Sequence, residues 1–110
     1  MDKLEFKAFF HAIGDYNRFS ILSSLAKRDL SVGEIVVATG IEQSNVSHHM
    51  HCLLNCGFVS VRRDGKERIY SLNEEVKHAV NGITRHVDSY KKRIIACDIA
   101  NREYISTVIR

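Results

Sequence analysis

Three cysteines carry the most specific chemistry readable in this chain of 110 residues. Cys52 and Cys56 are four residues apart, so on a helix they share one flank, a single turn from each other. Two thiolates so placed can chelate one ion. Thiolate is a soft ligand and selects Cd(II), Pb(II), Zn(II), Cu(I) or As(III) over Mg(II) or Ca(II). Two ligands are too few for tight, selective binding, and Cys97 is the only other thiol available. The competing reading treats each cysteine as a small buried hydrophobe. His49, His51 and His86 are further candidate ligands, each also accounted for by surface or packing roles. A second concentration of chemistry is cationic: Arg62, Arg63, Lys66 and Arg68 crowd around Asp64-Gly65.

The elements that must position these groups follow from periodicity. Phe6, Phe9, Phe10 and Ile13 recur at i, i+3, i+4, i+7, the pattern of an amphipathic helix, which Gly14-Asp15 interrupts. Phe19, Leu22, Leu25 and Ala26 mark a second helix, with Asp15 or Asn17 as its cap. Ser31-Val32-Gly33-Glu34 has the form of a capping box and opens a short helix that Gly40 stops. From Gln43 a longer helix places Val46, Met50, Leu53 and Leu54 on one face and ends at Gly57. Two helices of about seven and thirteen residues joined by a tight turn outline a helix-turn-helix. Residues 58–63 and 68–72 then alternate apolar and polar about the Asp64-Gly65 turn signal, which reads as a basic β-hairpin, a wing.

Beyond Asn73 the pattern is one long helix. Val76, Val80, Ile83, Val87, Tyr90, Ile94 and Cys97 are spaced alternately by four and three residues, a heptad-like seam. A domain this small does not cover so long a seam with its own core, so a second protomer is expected over it. The expected architecture is mainly α with a small wing. It is a single winged helix-turn-helix domain over 1–110, with the helix-turn-helix at about 31–56, the wing at about 58–72 and dimerisation helices at about 3–14 and 74–100. In such a dimer Cys97 could approach Cys52 and Cys56 from the partner protomer, giving a trigonal sulfur site.

Two recognition helices on a two-fold axis suit a palindromic double-stranded operator. With Val46, Met50 and Leu53 buried, Ser44, Ser47, His48 and His51 lie on the opposite side of the helix, and Gln43 and Asn45 add amides suited to adenine. A hairpin tip has little core to contact, so Arg62, Arg63, Lys66 and Arg68 there are expected to meet phosphates. The net charge of +3 is weak support by itself. No stretch reaches 18 apolar residues, and the charged start Met1-Asp2-Lys3-Leu4-Glu5 is unlike a signal peptide. The expectation is a cytoplasmic protein without membrane association, whose odd cysteine count argues against a disulfide framework. No acidic orienter or oxyanion motif accompanies the Cys and His residues, which argues against an enzyme. A pure protein-interaction module is opposed by the basic wing and the polar helix face.

Ala12-Ile13-Gly14-Asp15, Arg18, Ile21-Leu22 and Gln43-Ser44-Asn45-Val46-Ser47-His48-His49-Met50 resemble the ArsR/SmtB family of metal-responsive repressors, over nearly the whole chain. Tyr16 stands where that family commonly has proline. The Glu34-Ile35-Val36-Val37 helix lacks the Cys-x-Cys of many arsenic and cadmium sensors. Cys52-Leu53-Leu54-Asn55-Cys56-Gly57, with Cys97 forty-one residues on, is similar to the CmtR-type cadmium/lead branch. The resemblance implies an apo dimer on an operator overlapping a promoter. It also implies a Cd(II) or Pb(II) effector, with Zn(II) as a further option, held between the recognition helix of one protomer and the C-terminal helix of the other. Release from DNA follows. The alternative is a winged-helix repressor that senses thiol oxidation, sulfide or As(III) through the same cysteines. A disulfide across i, i+4 of a regular helix is poorly placed, which ranks oxidation second.

Overall fold

The computed structural model describes residues 3–97. Along the chain come α1 (Lys3–Ile13), α2 (Tyr16–Lys27), β1 (Leu30–Ser31), α3 (Val32–Thr39), α4 (Gln43–Asn55), β2 (Val59–Asp64), β3 (Glu67–Leu72) and α5 (Glu74–Ala96). Two compact units are distinguished, Met1–Val80 and Asn81–Arg110, with α5 running from the first into the second.

Local chemistry sets the boundaries of the first unit. Asp15 caps α2 by accepting the Arg18 N–H at 3.0 Å. Ser31 and Glu34 form the reciprocal capping box at the start of α3: Ser31 Oγ accepts the Glu34 N–H, and Glu34 Oε1 accepts the Ser31 N–H. Gly40 ends α3 at φ 73°, in the left-handed region, and its N–H donates to the Val36 carbonyl at 2.8 Å. Val46, Met50 and Leu53 of α4 then join Ile21, Leu22 and Leu25 of α2 and Ile35 of α3 in one apolar cluster, each at most 1% exposed. The expected helix-turn-helix is therefore present, with helices of eight and thirteen residues.

The three strands form an antiparallel sheet in the order β1-β3-β2. Strand β1 is two residues long and was not expected; it is too short to show alternation. It pairs Leu30 with Tyr70 and Ser31 with Ile69, anchoring the base of the hairpin to the start of α3. The hairpin turn is one residue later than the Asp64-Gly65 signal suggests. Asp64 pairs with Glu67, so the two loop residues are Gly65 and Lys66. Gly65 has φ 65° and no non-glycine residue has positive φ, as in a two-residue loop with glycine leading.

Helix α1 has no buried residue: Phe10 is 62% exposed, while Phe9 stacks on Phe58 at 5.3 Å between ring centroids. In the second unit α5 is interrupted at Tyr90 (φ −119°, ψ 17°), a break the heptad-like pattern did not signal. There the His86 ring stacks on Tyr90 at 4.8 Å, and the Arg93 guanidinium lies over the same ring. Ile83, Val87 and Tyr90 are each about 40% exposed along the expected seam. The part of the expected C-terminal helix beyond residue 97 lies outside the described residues. No described helix is long and apolar enough to cross a membrane.

Candidate nucleic-acid interface and thiol site

Helix α4 sorts its side chains by face. Burying Val46, Met50 and Leu53 leaves Gln43, Ser44, Asn45, Ser47, His48 and His51 exposed. Ser44 Oγ donates to Glu42 Oε1 at 3.2 Å, and Asn55 Nδ2 donates to His51 Nε2 at 3.2 Å. Glu42 precedes the helix without a side-chain cap, so first-turn N–H groups keep their donors available. The exposed set is thus short, polar and able both to donate and to accept, as base edges and phosphates require.

The wing divides its four cations. Strand residues alternate faces, and the register pairs Arg63 with Arg68, Arg62 with Ile69 and Asp64 with Glu67. Arg63 and Arg68 therefore share one face directly opposite each other, and neither forms an ion pair among the described residues. Arg62 lies on the other face and is engaged: its Nη1 donates to Asp29 Oδ2 at 2.8 Å and to Ser71 Oγ at 3.4 Å. The Arg62 hydrogen bond holds the Asp29 carboxyl below its ordinary range. Lys66 stands in the turn. Like charges placed opposite each other cost stability, and a phosphate between them removes that cost. Asp29 was not among the sequence candidates, because nothing local links it to a residue 33 positions away.

Asn73 is a second residue that sequence reasoning passed over. Its side-chain amide donates to the Gly57 carbonyl and accepts from Ser60 Oγ at 2.8 Å, while its N–H donates to the Phe58 carbonyl at 3.0 Å. It ties together the end of α4, the start of β2 and the first turn of α5. An asparagine just before Glu74-Glu75 was the available signal, since that is a usual helix cap.

The thiol pair occupies a third flank of α4. Cys56 keeps right-handed helical geometry and its N–H donates to the Cys52 carbonyl at 3.0 Å, which preserves the one-turn spacing. Cys52 is half-buried and Cys56 exposed. Both open onto a pocket of about 250 Å³ with Leu53, Ala8, His11 and Ala12. Arg18 holds the α1 side of that pocket: Nε donates to the Ala12 carbonyl at 2.6 Å and Nη2 to the His11 carbonyl at 3.0 Å. Cys97 is exposed and follows α5 in the second unit. Among the described residues no three His, Cys, Asp or Glu side chains come together as a metal cage. One described chain thus offers two soft donors that fit a thiophilic ion, and a complete set needs a further ligand. His49 is half-buried with no partner for its Nδ1, and burial pushes its pKa down. His86 is committed to Tyr90.

A sequence profile described as "Bacterial regulatory protein, arsR family" matches residues 15–61, from the cap of α2 into the wing. The HTH-type transcriptional regulator KmtR of Mycobacterium tuberculosis is 36% identical over 89 residues, covering 70% of this chain and 68% of that protein. The chain belongs to the arsR family. A second arsR-type relative, the "Probable mercury resistance operon repressor" of Streptomyces lividans, is 41% identical over 66 residues, covering 60% of this chain. That match spans about half of the Streptomyces protein, 53% of its length. The crystal structure of Rv0081 from M. tuberculosis superposes with a TM-score of 0.71 at 32% identity, covering 88% of this chain and all of that one. The winged helix-turn-helix expected from the sequence is therefore the fold, and the arsR family is one of regulatory proteins rather than enzymes.

Proposed function

We propose that this arsR-family chain is a cytoplasmic transcriptional repressor that binds operator DNA as a homodimer. A thiophilic ion, Cd(II) or Pb(II) with Zn(II) as a weaker competitor, releases it. The observation that carries the reading is the position of the thiol pair. Cys52 and Cys56 belong to the helix that presents Gln43, Ser44, Asn45, Ser47, His48 and His51, yet they open onto the pocket under α1. A ligand on that flank acts on the reading helix without occupying its polar face. Arg63, Arg68 and Lys66 supply phosphate contacts, and Arg62 positions the wing through Asp29. The uncovered faces of α1 and α5 are where a second copy of the chain would pack.

In this reading Cys97 completes the sulfur set begun by Cys52 and Cys56. A soft ion supplies bonds strong enough to hold α4 in a presentation that no longer fits the groove. The coupling needed is typical of such switches, about 1 to 3 kcal/mol. The thiols lose protons when they ligate, so effector binding weakens as pH falls.

The test is a titration of the reduced protein with Cd(II), Pb(II) and Zn(II), reading sulfur-to-metal charge-transfer absorption, alongside Cys52→Ser, Cys56→Ser and Cys97→Ser. Binding to DNA from upstream of the chain's own gene is followed with and without the ion. Tight binding of one ion per protomer, weakened by each substitution and accompanied by DNA release, is the expected result. Indifference to Cys97, or DNA affinity unchanged by the bound ion, overturns it.

A further inference from the structure

We propose that the Cys52–Cys56 pair and the pocket against it form a site for monosubstituted trivalent arsenicals, R–As(III), that is complete without Cys97. This rests on the thiophilic reading of the same pair and names a narrower class of ligand for it. The first argument is ligand count. A bare soft ion that prefers three sulfurs finds two on the described part of the chain. An arsenical that already carries one As–C bond needs only two more bonds, and the pair supplies two thiols one helical turn apart.

The second argument is the space beside the sulfurs. Cys52 and Cys56 share their pocket of about 250 Å³ with Ala8, Ala12 and Leu53, whose apolar side chains have no use for a hydrated ion. A dry apolar cavity of roughly 150 Å³ is enough for benzene, so a phenyl substituent fits the volume. The pocket is also a fixed feature of the first unit. Arg18 bonds two successive carbonyls at the end of α1, and Asp15 holds the Arg18 backbone, so α1 is tied down over the cysteines. Cys56 is exposed and gives the reagent its entry, while half-buried Cys52 carries it inward.

The reaction is a ligand exchange with no redox step. In R–As(OH)₂ both As–O bonds break, both S–H bonds break and two As–S bonds form. The hydroxides leave with the thiol protons as two waters, and arsenic stays trivalent. Three-coordinate arsenic then spans the helix turn with R in the pocket. A group held there presses on α1 and α4 together.

Phenylarsine oxide and inorganic arsenite are titrated in parallel into the reduced full-length protein and its variants. Intact mass under denaturing conditions and competition with a small dithiol are the readouts. One phenylarsenic unit per chain is expected in both wild type and Cys97→Ser, and in neither Cys52→Ser nor Cys56→Ser. Phenylarsine oxide should bind at least about tenfold more tightly than arsenite in Cys97→Ser. Ala8→Phe, which fills the pocket from an exposed position, should erase that preference while the melting temperature reports an intact fold. Loss of the adduct in Cys97→Ser, or equal affinity for the two arsenicals, overturns the proposal. Cadmium titrations of the same samples separate it from the broader reading. If cadmium binding ignores Cys97 while the arsenical still adds, only the three-thiolate site falls. If the arsenical requires Cys97, only the present proposal falls.

Discussion

Replacing Arg63 by alanine should strengthen the fold and weaken DNA binding at once. The register sets Arg63 directly across from Arg68 on one face of the wing, with no anionic side chain paired to either among the described residues. Opposed like charges on neighbouring strands cost on the order of 0.2–1 kcal/mol, so Arg63→Ala should raise stability by a few tenths of a kcal/mol, measured by denaturant unfolding in low salt. The same substitution removes one phosphate contact per wing. The slope of log K against log salt should become shallower by about 0.9 per contact, or about 1.8 for a dimer carrying the wing twice. At low salt that is roughly a tenfold loss of affinity between wild type and variant, shrinking as salt rises. Fluorescence anisotropy of promoter DNA over a KCl series reads both quantities. Arg62→Ala is the comparison: its guanidinium already lies on Asp29 at 2.8 Å, so its salt slope should change less and its stability should fall. Equal slope changes for Arg62→Ala and Arg63→Ala would refute the division of the wing into a binding face and an anchoring face.

Other expected outcomes follow from the same geometry. Asp29→Asn should destabilise by no more than about 1 kcal/mol at neutral pH, since both partners are substantially exposed. The Asp29 pKa is depressed in the folded state, so this contribution is present above the ordinary carboxylate range. It should disappear as pH falls through the lowered value, where wild type and Asp29→Asn unfolding curves converge. His49 is kept neutral chiefly by burial, with Asp15 opposing and Arg18 and His48 adding to the shift. Its contribution is present above the ordinary histidine range and lost as pH falls through the depressed value, so melting temperatures should drop between pH 7 and 5, and less so in His49→Phe. Ser31→Ala removes one half of the capping box on α3 and should cost about 0.5–2 kcal/mol by chemical denaturation. Ile35→Ala empties a fully buried site between α2 and α4 and should cost about 2–5 kcal/mol.

The sequence by itself determined the elements whose causes are local. Ser31 and Glu34 start α3, Gly40 stops it, and the spacing of Val46, Met50 and Leu53 turns α4 inward, because caps and helical faces depend on residues three or four apart. The same short-range rule put Cys52 and Cys56 on one flank and the polar residues of α4 on another. Tertiary structure alone decided what those flanks meet. That Arg62 is committed to Asp29 while Arg63 faces Arg68 depends on a strand register and on a contact across 33 positions. That the cysteine flank opens on a pocket closed by α1 depends on Arg18 reaching back to the Ala12 and His11 carbonyls. The break at Tyr90 escaped the seam pattern because apolar spacing reports which face is greasy, not whether each backbone angle stays helical. Long-range pairings of this kind are selected by packing of the whole core, and no window of neighbouring residues contains that information.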